Sequence, residues 1–374
     1  MEAPVILFVV GSGTQWEDAL RIAACIDDST CRVLDLQTLD VAPPPAPGTP
    51  YEGTHWPKQG LRTIASLLVM LRRMLADVAV VVLGQDAGRL QRIVVQTARR
   101  RGARIVVVPD GAMFDGAPPV LPPRERREEA VMGRLGIIAG RPLEFGSTSP
   151  DVWCAWGAGW VPMLQRFSPR GKVVVTGSPR AADLAGLPPR SGGAQRVLLC
   201  SQPTWVHPFP PSTTAGPTWY RWLEQVVQSA PEGAVTVRFH PRERDIIGEL
   251  GLGSALREAA RAPRSSLAAD LASHDAVVAP FSTVLLEAAG AGRRVLSVVP
   301  EPACKRTRFG CPAFVDPRLS VRLTSELPTF GLLRGAVDEV VDLSDWGAEY
   351  APPLQDAAAR CASAVTRSVH RVHH

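Results

Sequence analysis

Two places in this 374-residue chain set phosphate-competent residues directly after an apolar run. In the first, Val235 to Phe239 is followed by His240 and Pro241. Proline fixes φ and lacks a backbone donor, so it ends the strand and leaves the imidazole at the strand's carboxyl end, the edge where open α/β sheets bind ligands. In the second, Ala276 to Ala279 breaks at Pro280 and passes through Ser282 and Thr283 into a helix expected over Val284 to Gly290. Two hydroxyls and free N–H groups at a helix start suit a phosphate. Glu287 stands four residues after Thr283, on the same helix face, and is expected to reach a ribose hydroxyl. The plainer reading of His240 is a capped strand end beside a turn proline; the ordered set of signals favours a nucleotide pocket.

The elements that must hold these residues follow from hydrophobic pattern. Val5 to Val10 is a continuous apolar run, read as a buried parallel strand. Gly11-Ser12-Gly13-Thr14 follows, then a helix from Gln15 to Ile26 and a strand from Arg32 to Leu36 carrying Asp35. A Gly-x-Gly turn with an acid roughly 20 residues on is part of a dinucleotide fingerprint. Trp16 occupies the third glycine position, so a strand-to-helix turn facing a cleft is the preferred reading. Val41 to Pro57, rich in proline and glycine, is expected to be a loop. Helix over Leu61 to Leu75, strand over Val78 to Leu83, helix over Ala87 to Arg101 and strand over Ile105 to Val108 come next. The last of these ends in Pro109-Asp110-Gly111, where a carboxylate can act as a general base and where an Asp-Gly turn is the plain alternative.

Arg124 to Ile138 reads as a charged helix with a solvated face, and Asp151 to Phe167 as a helix stacking Trp156 on Trp160. Lys172 to Pro179 is strand-like, and Gly186 to Ala194 has the composition of a linker. A second alternation opens with a strand over Arg196 to Cys200, a helix from Trp219, the two organising strands, and a strand over Val295 to Val299. Leu319 to Glu339 is expected to hold a helix and strand, and Ala351 to Val369 a final helix. Strands alternating with helices twice over imply an α/β protein with two doubly wound parallel sheets.

The order strand-His240-Pro241, then Ser282-Thr283 opening a helix that carries Glu287, resembles the donor-binding halves of bacterial sialyltransferases and polysialyltransferases, and of capsule-type Kdo transferases. The resemblance implies the GT-B architecture, two Rossmann-like domains facing a cleft. The domains are then 1–189 on the acceptor side, 190–350 for the nucleotide-sugar donor, and 351–374 as a helix crossing back to the first. In these families the fourth strand of the first half ends in two acids and a glycine; here Pro109 stands in place of the first acid, which leaves Asp110 as the implied base. The strand ending in Ser201-Gln202 resembles the opening strand of the families' nucleotide-binding half, so Ser201 and Gln202 are expected to face the donor. His240 is implied at the leaving phosphate.

Composition bounds the rest. The hydrophobic share is 45% and the charged share 21%, as in a soluble globular enzyme of two or three domains. A net charge of +5 suits an anionic partner such as a nucleotide or acidic glycan. Basic residues are scattered without aromatic interleaving, which argues against nucleic acid. The 7 cysteines form no Cys-x-x-Cys pair and suggest buried thiols in a reducing cytoplasm. No segment reads as membrane-spanning, which leaves peripheral membrane association open. No Asp-x-Asp occurs, so no metal site is expected and no cofactor beyond the nucleotide-sugar co-substrate. The expected activity is inverting, metal-independent transfer of a sugar, sialic-acid-like or nonulosonic first, from a donor such as a CMP-sugar to a glycan or small-molecule hydroxyl. A sugar-nucleotide epimerase or glycerophosphotransferase of the same architecture, or a non-catalytic sugar-binding protein, is the alternative.

Overall fold

The computed structural model describes residues 3–51, 61–111, 121, 123–142, 145–188, 193–202, 215–240, 243, 252–261, 265–280, 282–299, 322–340, 349–350 and 355–370. The chain divides into two compact units, one of Met1–Met113, Pro118–Ala182 and Pro352–His374, the other of Asp183–Ala351 with Phe114–Ala117.

The first unit is built on strands β1 (Val5–Val10), β2 (Thr30–Asp35), β3 (Val41–Ala42), β4 (Val78–Leu83), β5 (Arg104–Val107), β6 (Val152–Ala155) and β7 (Lys172–Val175). They lie in the order β3-β2-β1-β4-β5-β6-β7. All pairs are parallel except the two-residue edge strand β3, which runs antiparallel to β2 inside the stretch expected to be loop. Side chains alternate across a strand, and both faces are covered, which is why these strands read as unbroken apolar runs. Val5, Leu7, Val9, Val81, Leu83 and Ile105 pack with α2 (Leu61–Met74) and α3 (Arg89–Arg99) on one face. Ile6, Phe8, Val10, Val80, Val82 and Val106 pack with α1 (Gly13–Ala23) and the last helix on the other. That helix, Ala357–His370, lies against α1, β4, β5 and β6. Each such fully buried aliphatic side chain contributes about 1.5–3 kcal/mol.

One helix expected in this unit is corrected. Asp151 to Phe167 is not one helix: Val152–Ala155 is strand β6, and only Val161–Phe167 is α-helical. The tryptophan spacing fits a helical face, but Asp151 fastens the segment to β5 instead, its carboxylate accepting from Arg104 at 2.6 Å and from the Ile105 N–H at 2.8 Å. Trp156 and Trp160 therefore do not share a helical face. The charged helix α4 (Pro123–Arg134) has the solvated face expected of it, while on its inner side buried Glu129 accepts from Arg92 at 2.6 Å and from Arg89 at 2.9 Å.

The second unit holds β8 (Val197–Cys200), β9 (Val235–Arg238), β10 (Ala276–Ala279), β11 (Arg294–Val299) and β12 (Arg322–Leu323), all parallel, in the order β12-β11-β10-β8-β9. One face of this sheet packs on a helix at Ala215–Ser229 through Trp219, Trp222, Leu223 and Val226. A helix at Val284–Gly290 packs on β10 and β11. The segment 319–339 gives a short strand first and then a helix at Phe330–Asp338. Among the described cysteines Cys154, Cys200 and Cys361 are buried and Cys25 is exposed; none of them is in a disulfide. No described helix is long and apolar enough to cross a membrane.

Candidate active site

Each sheet reverses its strand order once, and the carboxyl edge at that reversal is where α/β sheets bind ligands. In the first unit the chain builds β1, β2 and β3 outward and then returns to place β4 on the other flank of β1. In the second, β9 lies on one side of β8 and β10 on the other.

Beside the first reversal stands Asp110, three residues past β5, which neighbours β4. Its Oδ2 accepts from the Gln15 Nε2 at 2.7 Å, and the Gln15 Oε1 accepts from the Gly11 N–H at 2.8 Å. The backbone of Asp110 is held on both sides, its N–H donating to the Gly84 carbonyl at 3.2 Å and its carbonyl accepting from Arg180 at 2.8 Å. Arg180 in turn lies over the Trp156 ring, 5.3 Å from its centroid, and pairs with Asp18 at 3.2 Å. The Trp156 Nε1 donates to the Pro109 carbonyl at 2.9 Å. Asp110 keeps a partly exposed residue surface while its carboxyl group is enclosed by neighbours. That enclosure pushes the carboxyl above the usual aspartate range, with the Gln15 amide and the Arg180 charge pulling the other way.

The Gly11-Ser12-Gly13 turn does not read as a dinucleotide loop. Ser12 caps α1 by accepting from the Gln15 N–H at 3.3 Å, and the Gln15 side chain already takes the Gly11 N–H. Asp35, the acid of that fingerprint, accepts from the Tyr51 hydroxyl at 3.0 Å and the Gln37 N–H at 2.8 Å.

At the second reversal, His240 follows β9 and is partly buried. Its N–H donates to Glu243 Oε2 at 2.6 Å. Glu243 is fully buried, and its Oε1 accepts from the Ser201 hydroxyl at 2.6 Å and the Tyr220 hydroxyl at 2.8 Å. The Ser201 oxygen accepts from Trp219 Nε1 at 2.9 Å, and its N–H donates to the Arg238 carbonyl at 2.9 Å. Ser201 thus spends its hydroxyl and N–H inside the protein, although it follows β8 as expected; Gln202 beside it is partly exposed. Burial pushes the Glu243 carboxyl up while its donors pull it down, and burial together with Glu243 pushes the Tyr220 hydroxyl up.

Ser282 and Thr283 lead into the helix Val284–Gly290, within the bounds read from the sequence. Its first N–H groups are less available than expected. Val284 N–H donates to Ser282 Oγ at 3.3 Å, and the N–H groups of Leu285 and Leu286 donate to the Ser282 and Thr283 carbonyls at 3.0 Å each. Thr283 makes no side-chain cap bond, so its hydroxyl is not committed to the helix start. Glu287, expected at a ribose, is only 4% exposed. Pro241 lies outside the described residues.

Within the units, then, Asp110 is joined to Gln15 and Arg180, and His240 to Ser201 through Glu243. Gln15, Arg180, Tyr220 and Glu243 were not singled out from sequence. Glu243 had a readable signal, an acid three residues after His240; Gln15 had a weaker one, a polar residue in the first turn after Gly-x-Gly.

No protein-family model and no curated protein sequence matches the chain. Solved structures do share its fold. A histidine-to-alanine variant of the wall teichoic acid polymerase TagF superimposes with TM-score 0.58 at 10% identity, covering 100% of this chain and 91% of that one. A histidine-to-asparagine TagF variant soaked with CDPG gives 0.57 at 10% identity over 100% and 90%. A putative UDP-N-acetylglucosamine 2-epimerase from Listeria monocytogenes gives 0.53 at 12% identity over 100% and 98%. The shared fold is α/β, two Rossmann-like doubly wound parallel-sheet domains of the GT-B kind.

Proposed function

We propose that this protein is an inverting, metal-independent glycosyltransferase that moves a sugar from a cytidine-nucleotide donor, a nonulosonic sugar first, to a hydroxyl of a glycan or small acceptor. The observation that carries the reading is the second-unit strand reversal at β8, flanked by His240 beyond β9 and by Ser282 and Thr283 beyond β10. Neighbouring strands are about 4.8 Å apart, so these flanks, with β8 between them, stand roughly 10 Å apart, room for a phosphate hydrogen-bonded on both sides. In the proposed step the acceptor oxygen attacks the anomeric carbon and gives its proton to Asp110. The bond from that carbon to the phosphate oxygen breaks, and its electron pair leaves with the nucleotide. His240 and the Thr283 hydroxyl meet the charge that develops there. Gln202 is assigned to the nucleotide, and Ser201 supports the site from behind.

Transfer of a glycerophosphate group is the second reading. It is favoured by the likeness to TagF structures, one of them soaked with CDPG, and keeps a cytidine donor and the same flanks. Fold alone does not choose between these chemistries. The deciding experiment incubates the purified chain with CMP-sialic acid, CDP-glycerol or UDP-N-acetylglucosamine, each with and without a hydroxyl acceptor, and follows products by mass spectrometry. Acceptor-dependent release of CMP from CMP-sialic acid is expected; acceptor-dependent release of CMP from CDP-glycerol instead overturns sugar transfer in favour of glycerophosphate transfer. Conversion of UDP-N-acetylglucosamine alone overturns the transferase reading in favour of an epimerase.

A further inference from the structure

We infer that Glu243 is the positioning residue that sets His240, and that Ser201 acts through it rather than on the donor. The inference rests on the reading of His240 as the group that meets the leaving phosphate.

A carboxylate with no exposed surface is expensive to keep in a protein unless donors satisfy it. Glu243 meets three: Ser201, Tyr220 and the His240 N–H, at 2.6, 2.8 and 2.6 Å. They come from three different elements. Ser201 follows β8, His240 follows β9, and Tyr220 sits on the helix Ala215–Ser229 that covers one face of the sheet. β8 and β9 are adjacent and parallel, with Cys200 opposite Arg238. One carboxylate therefore pins together the carboxyl ends of two neighbouring strands at the edge where the strand order reverses. A turn closing after β9 needs only one acceptor for the His240 N–H, which a serine or aspartate supplies at far lower desolvation cost. What the buried glutamate adds is a fixed position of the His240 backbone relative to β8. Charge-assisted bonds to a carboxylate are short and strong, as the 2.6 Å bond to His240 is.

The two oxygens are used differently, which predicts an order among variants. Glu243→Gln keeps the length, and its oxygen can still accept from the His240 N–H while both hydroxyls rotate to accept from its NH2. Glu243→Asp keeps the charge but is one methylene shorter and cannot span Ser201 and His240 together. A role in bulk electrostatics ranks aspartate above glutamine; a positioning role ranks glutamine above aspartate.

The test measures binding of CMP, CDP and UDP to the full chain by calorimetry, with the His240 amide proton followed by NMR. His240→Ala is expected to weaken the tightest of these nucleotides at least tenfold. Glu243→Gln should stay within about threefold of wild type, and Glu243→Asp should weaken binding about tenfold while keeping a cooperative melt. His240→Ala with Glu243→Asp should bind no more weakly than His240→Ala alone, because the two act on one contact. The His240 amide proton should move upfield in Glu243→Asp. A folded Glu243→Asp that binds as wild type while His240→Ala is impaired overturns the inference and leaves the His240 reading standing; wild-type binding by His240→Ala removes that reading and the inference with it. Should Glu243→Asp fail to fold, Ser201→Ala is expected to weaken binding about threefold in the wild-type background and not at all beside His240→Ala. Unchanged affinity of Ser201→Ala also overturns the inference.

Discussion

Gln15 and Asp110, 95 residues apart in the chain, meet through a 2.7 Å bond whose direction is fixed by a third group. The Gly11 N–H takes the Gln15 oxygen at 2.8 Å, so only the NH2 end of that amide can face Asp110. A donor on the carboxylate favours its ionised form, while enclosure favours the protonated one, and for Asp110 enclosure is the larger effect. The result is a carboxyl held in place and made more basic than an exposed aspartate, which is what a general base requires.

If Asp110 takes the acceptor's proton, Asp110→Asn removes the base without changing size. Turnover is expected to fall roughly 10²-fold or more while nucleotide affinity stays nearly constant. Steady-state kinetics alongside calorimetric binding separate the two; near-normal turnover excludes Asp110 as the base.

The raised carboxyl also sets a pH dependence. The acid limb of kcat/KM should titrate above the ordinary aspartate value of about 3.9, and Gln15→Ala, which removes a bond favouring the ionised form, should move that limb higher still. The sign for stability is the reverse of the usual paired aspartate. With the folded value above the unfolded one, this group's stabilising contribution is complete below the unfolded pKa and is lost as pH rises through the folded one. Asp110→Asn escapes that loss, so its stability relative to wild type should grow as pH rises above about 4, in denaturant melts taken across pH.

Turnover, once a donor is identified, is expected to persist in excess chelator. The sequence has no Asp-x-Asp to hold a divalent ion on a diphosphate. Complete loss that magnesium restores contradicts the metal-independent mechanism.

Arg92 and Glu129 give a stability prediction away from the site. Arg92 is 1% exposed and Glu129 8%, and the guanidinium also donates to the Ala139 and Gly140 carbonyls at 2.8 Å each. Glu129→Ala leaves that buried cation without its carboxylate and should cost about 3–5 kcal/mol in denaturant melts. A change below about 0.5 kcal/mol, the range of an ordinary surface substitution, shows that the pair does not hold α4 to α3.

Much of the fold was legible because both faces of each sheet are covered. Buried parallel strands appear as unbroken apolar runs, and Val5–Val10, Val78–Leu83 and Ala276–Ala279 begin and end where those runs do. β6 was missed because Trp153, Trp156 and Trp160 also fit a helical period; pairing with β5 and β7, which no local pattern records, made it a strand. The site divides in the same way. The strand-end positions of Asp110, His240, Ser282 and Thr283 follow from apolar runs meeting proline or polar residues. The partners Arg180 and Tyr220 are contacts over long stretches of chain that a lone sequence does not record, and the polar first turn that holds Gln15 does not by itself say that it meets Asp110, 95 residues on. Ser201 and Glu287 show the limit in the other direction: the element was right, while burial turned each side chain to internal use.

Gly84 offers a test of the Asp110 clamp that touches neither Asp110 nor Gln15. Its carbonyl accepts the Asp110 N–H, and a Cβ added there would stand 2.5 Å from Gln15 Cγ and 2.9 Å from Gln15 Cδ. Those are the inner atoms of a side chain tied at both functional ends, so Gln15 cannot yield by swinging its tip; it must break from Gly11 or from Asp110. Gly84→Ala is therefore expected to lower turnover and to move the acid limb upward, in the same direction as Gln15→Ala. Because both act by unseating one amide, the double variant should be no worse than Gln15→Ala alone, whereas independent effects would add. An acid limb at the wild-type position in a folded Gly84→Ala protein shows that the Gln15 amide does not set the basicity of Asp110.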